Sequence, residues 1–302
     1  MQARRGEELP ENIRKVRVLD NGYVELIDWL GDDGAVVEAA RQSTTGQAGT
    51  PEEDRKLIRY LMKNRHTSPF EMVDFVFDCK MPIFVARQWV RHRTASLNEY
   101  SGRYSRMISD MYLPPLSRLK ESGQGVINKQ GSEGHISEDL AVQIQENMSM
   151  EQAVLLSGYD EYLARGISKE IARVNTPVAT YTKWRWKMNL HNMFHFFGLR
   201  LDEHAQWEMR QYAWAMYGMV KAIAPVSCEA WEDFIFYAHT TRRMKTEKLR
   251  QAVEDFREYA ACDVSGPSEG LLGAARALFA AADGSVSGAR RQTRQDPSPS
   301  SW

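Results

Sequence analysis

Cysteine is nearly missing from this chain: three in 302 residues, at Cys79, Cys228 and Cys262. They form no CxxC pair and no even-numbered framework, which excludes a disulfide-stapled fold and leaves the thiols to read as small buried apolar groups. A charge excess of either sign is also missing. Lys plus Arg number 39 and Asp plus Glu 40, for a formal charge of −1. A protein whose main business is coating nucleic acid needs a large positive excess, so any basic site here must be local. No run approaches the ~18 apolar residues of a membrane helix. The opening "MQARRGEELPENIRKVRVLD" has no apolar stretch that would serve as a signal peptide. A cytoplasmic protein, with no membrane and no nucleic-acid partner, is the expectation. GxGxxG and Walker A loops are absent too, so a bound nucleotide would have to be held by side chains. Ser101 lacks a G-x-S-x-G setting, which removes the usual sign of a serine nucleophile.

What is present suffices for a core, since 43% of the residues are apolar, an ordinary share for a globular chain. "VRVLDNGYVELIDWLG" predicts two short strands about an Asn-Gly turn. "DDGAVVEAARQS" predicts a helix. In "TPEEDRKLIRYLMKN" Thr50 is placed as N-cap, Pro51 at the first helical position and Glu53 closing a capping box, which starts a second helix. "VDFVFDCKM" alternates, with Phe75, Phe77, Cys79 and Met81 opposite Asp74, Asp78 and Lys80, the pattern of a half-buried strand. Pro82 opens "PIFVARQWVRH", and a polar loop follows it. "ATYTKWRWKM" alternates again, and a long helical stretch is expected from His191 to Ile223. The organisation expected is a disordered extension over 1–12, one domain over 13–240 and an extension over 241–302, helical and then disordered. Within the domain, Gly, Ser and Pro mark 114–138 as a loop insertion, followed by a helix from about Leu140 to Arg165.

Two constellations stand out. Arg91-His92-Arg93 lies at a helix end, with Gln88 one turn earlier and Ser96, Asn98, Glu99, Ser101 and Arg103 after it. Arginines stay charged and present a fork of donors that matches phosphate oxygens, so the cluster reads either as a phosphate cradle or as a solvated helix end. His191 and His195 stand at helical i, i+4 spacing, with His204 beyond them. That spacing suits metal ligands, although no Glu follows His191 as in zinc proteases. A metal-dependent hydrolase using His191, His195 and His204 is therefore one reading, and a non-catalytic nucleotide- or RNA-binding module built on the basic cluster is another.

The letters themselves point to a third. Arg-His-Arg, seven residues, then Ser101 resembles the signature of the flavin-dependent thymidylate synthases. The resemblance extends through "HTSPFEMVDFVFDCKMPIFVARQWVRHRTASLNEYSGRY" and "EIARVNTPVATYTKWRWKMNLHNMFHFFGLRLDEHAQWEMRQYA", with order and spacing kept from about Val16 to Tyr237. It implies an α+β fold, a mixed α/β subunit with a central antiparallel sheet flanked by long helices, assembled as a homotetramer with active sites shared between subunits. It also implies conversion of dUMP to dTMP, with methylenetetrahydrofolate as one-carbon donor, FAD as hydride carrier and NADPH as reductant, and no metal. Carried onto this chain, FAD would meet Ser68, Arg91, His92, Arg93, Glu99, Asn189, His191 and His195. The nucleotide would meet Gln88, Trp89, Val90 and Arg91, then Glu99, Tyr100, Ser101, Gly102 and Arg103, with Arg173 and Arg200. Arg200 is the expected catalytic residue, its alternative being a surface ion pair with Asp202 or Glu203. Met72 stands where many members have a second His, and Ser68 where some carry Thr.

Overall fold

A computed structural model describes residues 10–43, 46, 48–124 and 131–238. The chain divides into two compact units, Met1–Phe234 and Ile235–Trp302, and the sheet with its helices belongs to the first. The extension expected over 241–302 lies outside the described residues, as do residues 1–9.

The elements in chain order are α1 (Glu11–Arg14), β1 (Lys15–Val18), β2 (Gly22–Leu30), α2 (Asp33–Arg41), α3 (Pro51–Lys63), a 3-10 turn (Ser68–Met72), β3 (Asp74–Pro82), α4 (Ile83–Trp89) and β4 (Ser96–Glu99). Then come α5 (Leu116–Lys120), β5 (Gly123–Gln124), β6 (Ser132–Gly134), α6 (Glu138–Ala164), α7 (Lys169–Ala172), β7 (Tyr181–Asn189), α8 (Leu190–Arg200), α9 (Trp207–Ile223) and α10 (Pro225–Trp231). Five strands form one sheet in the order β1-β2-β3-β7-β4, antiparallel at every pairing. The α+β class expected from the resemblance holds.

Alternation decides which face of the sheet is core. Phe75, Phe77, Cys79 and Met81 of β3 are fully buried, and Thr182, Trp184, Trp186 and Met188 of β7 nearly so. The register sets Phe77 opposite Trp186 and Cys79 opposite Trp184. Over them sits Trp89 at the end of α4, its ring 5.4–5.9 Å from Trp184, Trp186, Phe196 and Tyr212. Burying one such side chain is worth roughly 1.5–3 kcal/mol, so Trp89 anchors the end of α4 in the core. Cys79 and Cys228 are buried as expected, and desolvation pushes both thiols well above their ordinary range.

The cap read at α3 is present in full: Thr50 Oγ1 accepts from the Glu53 amide, and the Thr50 amide donates to Glu53 Oε2 at 2.7 Å. Four expectations change. The hairpin turns through Leu19–Asn21, with Leu19 itself at φ 59°, and Gly22 belongs to β2, paired with Val18. The polar loop after His92 contains an edge strand, β4, held on β7. The expected loop over 114–138 holds a helix and a two-stranded ribbon. The single helix expected over 191–223 is two, because Asp202 turns its carboxylate onto the His204 amide at 3.0 Å, a local bond that competes with the helix ladder.

Candidate active site

Arg200 ends α8, and half-buried there it is no surface side chain. Its Nε donates to Nε2 of His92 at 2.9 Å and its Nη2 to the Gln88 carbonyl at 3.0 Å. That carbonyl is free because α4 stops at Trp89, leaving its last carbonyls without helical partners. Two of the five guanidinium N–H groups are thus used, and the others remain for a ligand.

His92 is 9% exposed, its ring 4.9 Å from Phe196 and 6.2 Å from His195. Burial, and then the neighbouring Arg200 charge and His195, lower its pKa to about 4. It is therefore neutral at pH 7, and since Nε2 accepts from Arg200 its proton sits on Nδ1. Burial also lowers the proton affinity of Arg200, which stays cationic as arginines do. A pH dependence follows. The unfolded chain takes a proton on His92 near 6.5 while the folded form refuses it down to about 4. The stability from this pair is thus whole above 6.5 and is lost as pH falls through that window. His92→Asn keeps an acceptor oxygen but has no proton to gain, so its melting temperature should fall less between pH 6.5 and 4 than that of the unaltered protein; equal slopes would contradict the assignment.

The other site residues fall into further sets. Glu99, at the end of exposed β4, accepts from Thr182 Oγ1 at 2.7 Å. Past it, Tyr100 donates its amide to the Lys183 carbonyl, Ser101 Oγ accepts from the Arg103 amide, and Arg103 pairs with Glu170 at 2.8 Å. Gly102 is buried tightly here: a Cβ would stand 2.2 Å from Met107 Sδ and 3.2 Å from Arg173 Cδ. A third set lies at the start of α8, where Asn189 caps the helix by accepting from the Asn192 amide at 3.0 Å. Ser68 is exposed at the head of the 3-10 turn, which packs on α8 through Phe70 and Phe194. Met72 is exposed. Val90 is exposed, whereas Trp89 is wholly buried, which leaves only its main chain to face a ligand.

Contacts therefore join Gln88, His92, His195 and Arg200, and separately Gly102 with Arg173. No hydrogen bond among the described residues joins those two sets within one chain. Arg91 and Arg93 are exposed and, like Arg173, have no carboxylate partner among the described residues. Unpaired guanidinium groups on both sides of His92 suit the phosphates of a dinucleotide such as FAD. Among the described residues no group of three or more His, Cys, Asp or Glu is placed to hold a metal ion. His204 is exposed and bound to Asp202, and the reading of His191, His195 and His204 as ligands has no assembled centre. No helix of the described residues is long and apolar enough to cross a membrane.

One residue escaped the reading of the sequence. Gln206, just before α9, accepts from Nε2 of Gln88. A glutamine between helical segments carries no signal that would have singled it out.

Fold and site define a class, α+β proteins whose helix ends present arginines beside an antiparallel sheet. Residues 25–226 match the family described as thymidylate synthase complementing protein, and the chain belongs to that family. It is 44% identical over 220 residues to the flavin-dependent thymidylate synthase of Treponema denticola, covering 72% of this chain and 82% of that one. It is 45% identical over 235 residues to the enzyme of the same name from Thermus thermophilus, covering 78% and 84%. The solved structure of the UMP/dUMP methylase PolB from Streptomyces cacaoi, bound with 5-Br dUMP, is similar at TM-score 0.66 and 33% identity, covering 72% of this chain and 98% of that one.

Proposed function

We infer that this protein is a flavin-dependent thymidylate synthase, an enzyme that methylates dUMP to dTMP using methylenetetrahydrofolate and NADPH. The observation that carries the reading is Arg200, pinned by a neutral imidazole and a main-chain carbonyl with N–H groups to spare. A uracil ring must become electron-rich at carbon 5 to accept a one-carbon unit. A fixed guanidinium against ring nitrogen 3 and its carbonyl stabilises that charge, and because it is already oriented it needs no reorganisation at the moment of reaction. Arg91, His92, Arg93, Ser68, Glu99, Asn189, His191 and His195 form the flavin side. Gln88 to Arg91, Glu99 to Arg103, Arg173 and Arg200 form the nucleotide side. FAD, when bound, supplies the hydride chemistry, for which no cysteine nucleophile is needed; Cys79 and Cys228 are buried and protonated.

We further propose that neighbouring copies complete the site, in a homotetramer in the cytoplasm; what supports the shared site is that no hydrogen bond among the described residues joins the Gln88–Arg200 set to Gly102 and Arg173 within one chain. The test is direct. Purified protein should be yellow, and with FAD, dUMP and methylenetetrahydrofolate it should oxidise NADPH and release dTMP. A protein that takes up no flavin, or that oxidises NADPH without forming dTMP under those conditions, would defeat the reading.

A further inference from the structure

Gln206 occupies the N-cap position of α9, at φ −54° and ψ 136°, yet its side chain makes no capping bond. It forgoes the bond that Ser, Thr, Asp or Asn supplies at that position. Its amide oxygen reaches instead to α4, where it accepts from the part-buried Nε2 of Gln88. Gln88 is the same residue whose carbonyl grips Arg200.

The two elements are locked around this bond. Trp89, next to Gln88, is fully buried with its ring 5.9 Å from Tyr212 of α9. On the other side Arg118, from α5, donates to Glu208 at 2.8 Å and lies over the Trp207 ring at 5.9 Å. Glu208 is 3% exposed and also accepts from the Tyr112 hydroxyl. The turn that carries Gln206 is therefore fixed on both flanks, so its amide can act as a fixture for a partner rather than as a mobile surface group.

We propose that Gln206 is a positioning residue for nucleotide binding. It holds the Gln88 amide against α9, so that Gln88 meets dUMP in one orientation and need not be ordered on binding. This rests on the proposed function and adds to it a residue that touches neither ligand. It also gives the insertion a part, since Arg118 steadies the turn on which Gln206 stands.

The experiment is a double-mutant cycle in FAD-loaded enzyme, with Gln88→Met, Gln206→Met and the pair, measuring dUMP affinity by calorimetry and KM and kcat by dTMP release. One hydrogen bond that orders a ligand-facing amide corresponds to about a fivefold to twentyfold loss of affinity. Gln206→Met should show that loss in dUMP affinity and KM, with kcat within about twofold. It should add nothing further in the Gln88→Met background. Gln206→Asn, too short to reach Gln88, should match Gln206→Met. Unchanged affinity in both Gln206 variants, or losses that add to those of Gln88→Met, would overturn the proposal and leave a plain staple between helices. Failure of the unaltered enzyme to bind dUMP at all would instead defeat the proposed function beneath it.

Discussion

Replacing Arg200 by alanine is expected to lower dTMP formation by about 10²–10³-fold, the range typical of losing one preorganised donor to a developing oxyanion. Bound flavin should remain, because the groups assigned to FAD are not attached to the Arg200 guanidinium except through His92. The loss should appear in kcat as well as kcat/KM, since the contact matters most when the ring carries charge. Arg200→Lys should rescue little. One ammonium cannot reproduce the fork that engages His92 Nε2 and the Gln88 carbonyl together while still presenting donors to a ligand. Steady-state dTMP release and the flavin absorbance of the purified variants decide the matter. If Arg200→Ala kept most of its turnover, or lost its flavin in step with its activity, the role assigned to this guanidinium would be wrong.

Arg200 was singled out through the family resemblance of "HNMFHFFGLR", but what makes it a fixed donor was not legible there. Its imidazole partner lies 108 positions earlier and its carbonyl partner 112 earlier; spacing within one segment says nothing about contacts across the fold. β3 and β7 could be read because each buries one face and wets the other, which writes a period of two into the letters. β4 has no such period: Ser96, Leu97, Asn98 and Glu99 are all exposed on the edge of the sheet, and only main-chain pairing with β7 makes them a strand. The break between α8 and α9 escaped for a different reason. The apolar pattern runs through Leu201, and the stop comes from the Asp202 side chain bonding its own neighbourhood. Inside 114–138 the abundance of Gly and Ser outweighed a short, mostly polar helix whose Leu119 is buried and whose Arg118 reaches Glu208.

Gly22 is where local reading and packing diverge most, and it sets the second large expectation. Asn-Gly ordinarily signals a turn that needs glycine for its positive φ. Here the positive φ falls on Leu19, and Gly22 is a paired strand residue. What it needs is the absence of a side chain. A Cβ would stand 2.0 Å from the Tyr212 hydroxyl, 2.6 Å from the Val18 carbonyl oxygen and 2.8 Å from the Lys80 carbonyl oxygen. The Tyr212 hydroxyl meanwhile donates to that Lys80 carbonyl at 2.9 Å, so it is not free to swing away. Gly22→Ala should therefore destabilise the protein by about 3 kcal/mol, the upper end of the usual cost of overpacking, read as a lower denaturant midpoint. A second change separates side chain from backbone. Tyr212→Phe removes the nearest obstacle but leaves two main-chain oxygens in place, so the double variant should recover only part of the loss. Because Tyr212 packs on Trp89, whose neighbour Gln88 holds Arg200, the strain should also reach the site, lowering dTMP formation in Gly22→Ala even at temperatures where it stays folded. A Gly22→Ala protein as stable as the original would mean that β2 does not lie this close to α9.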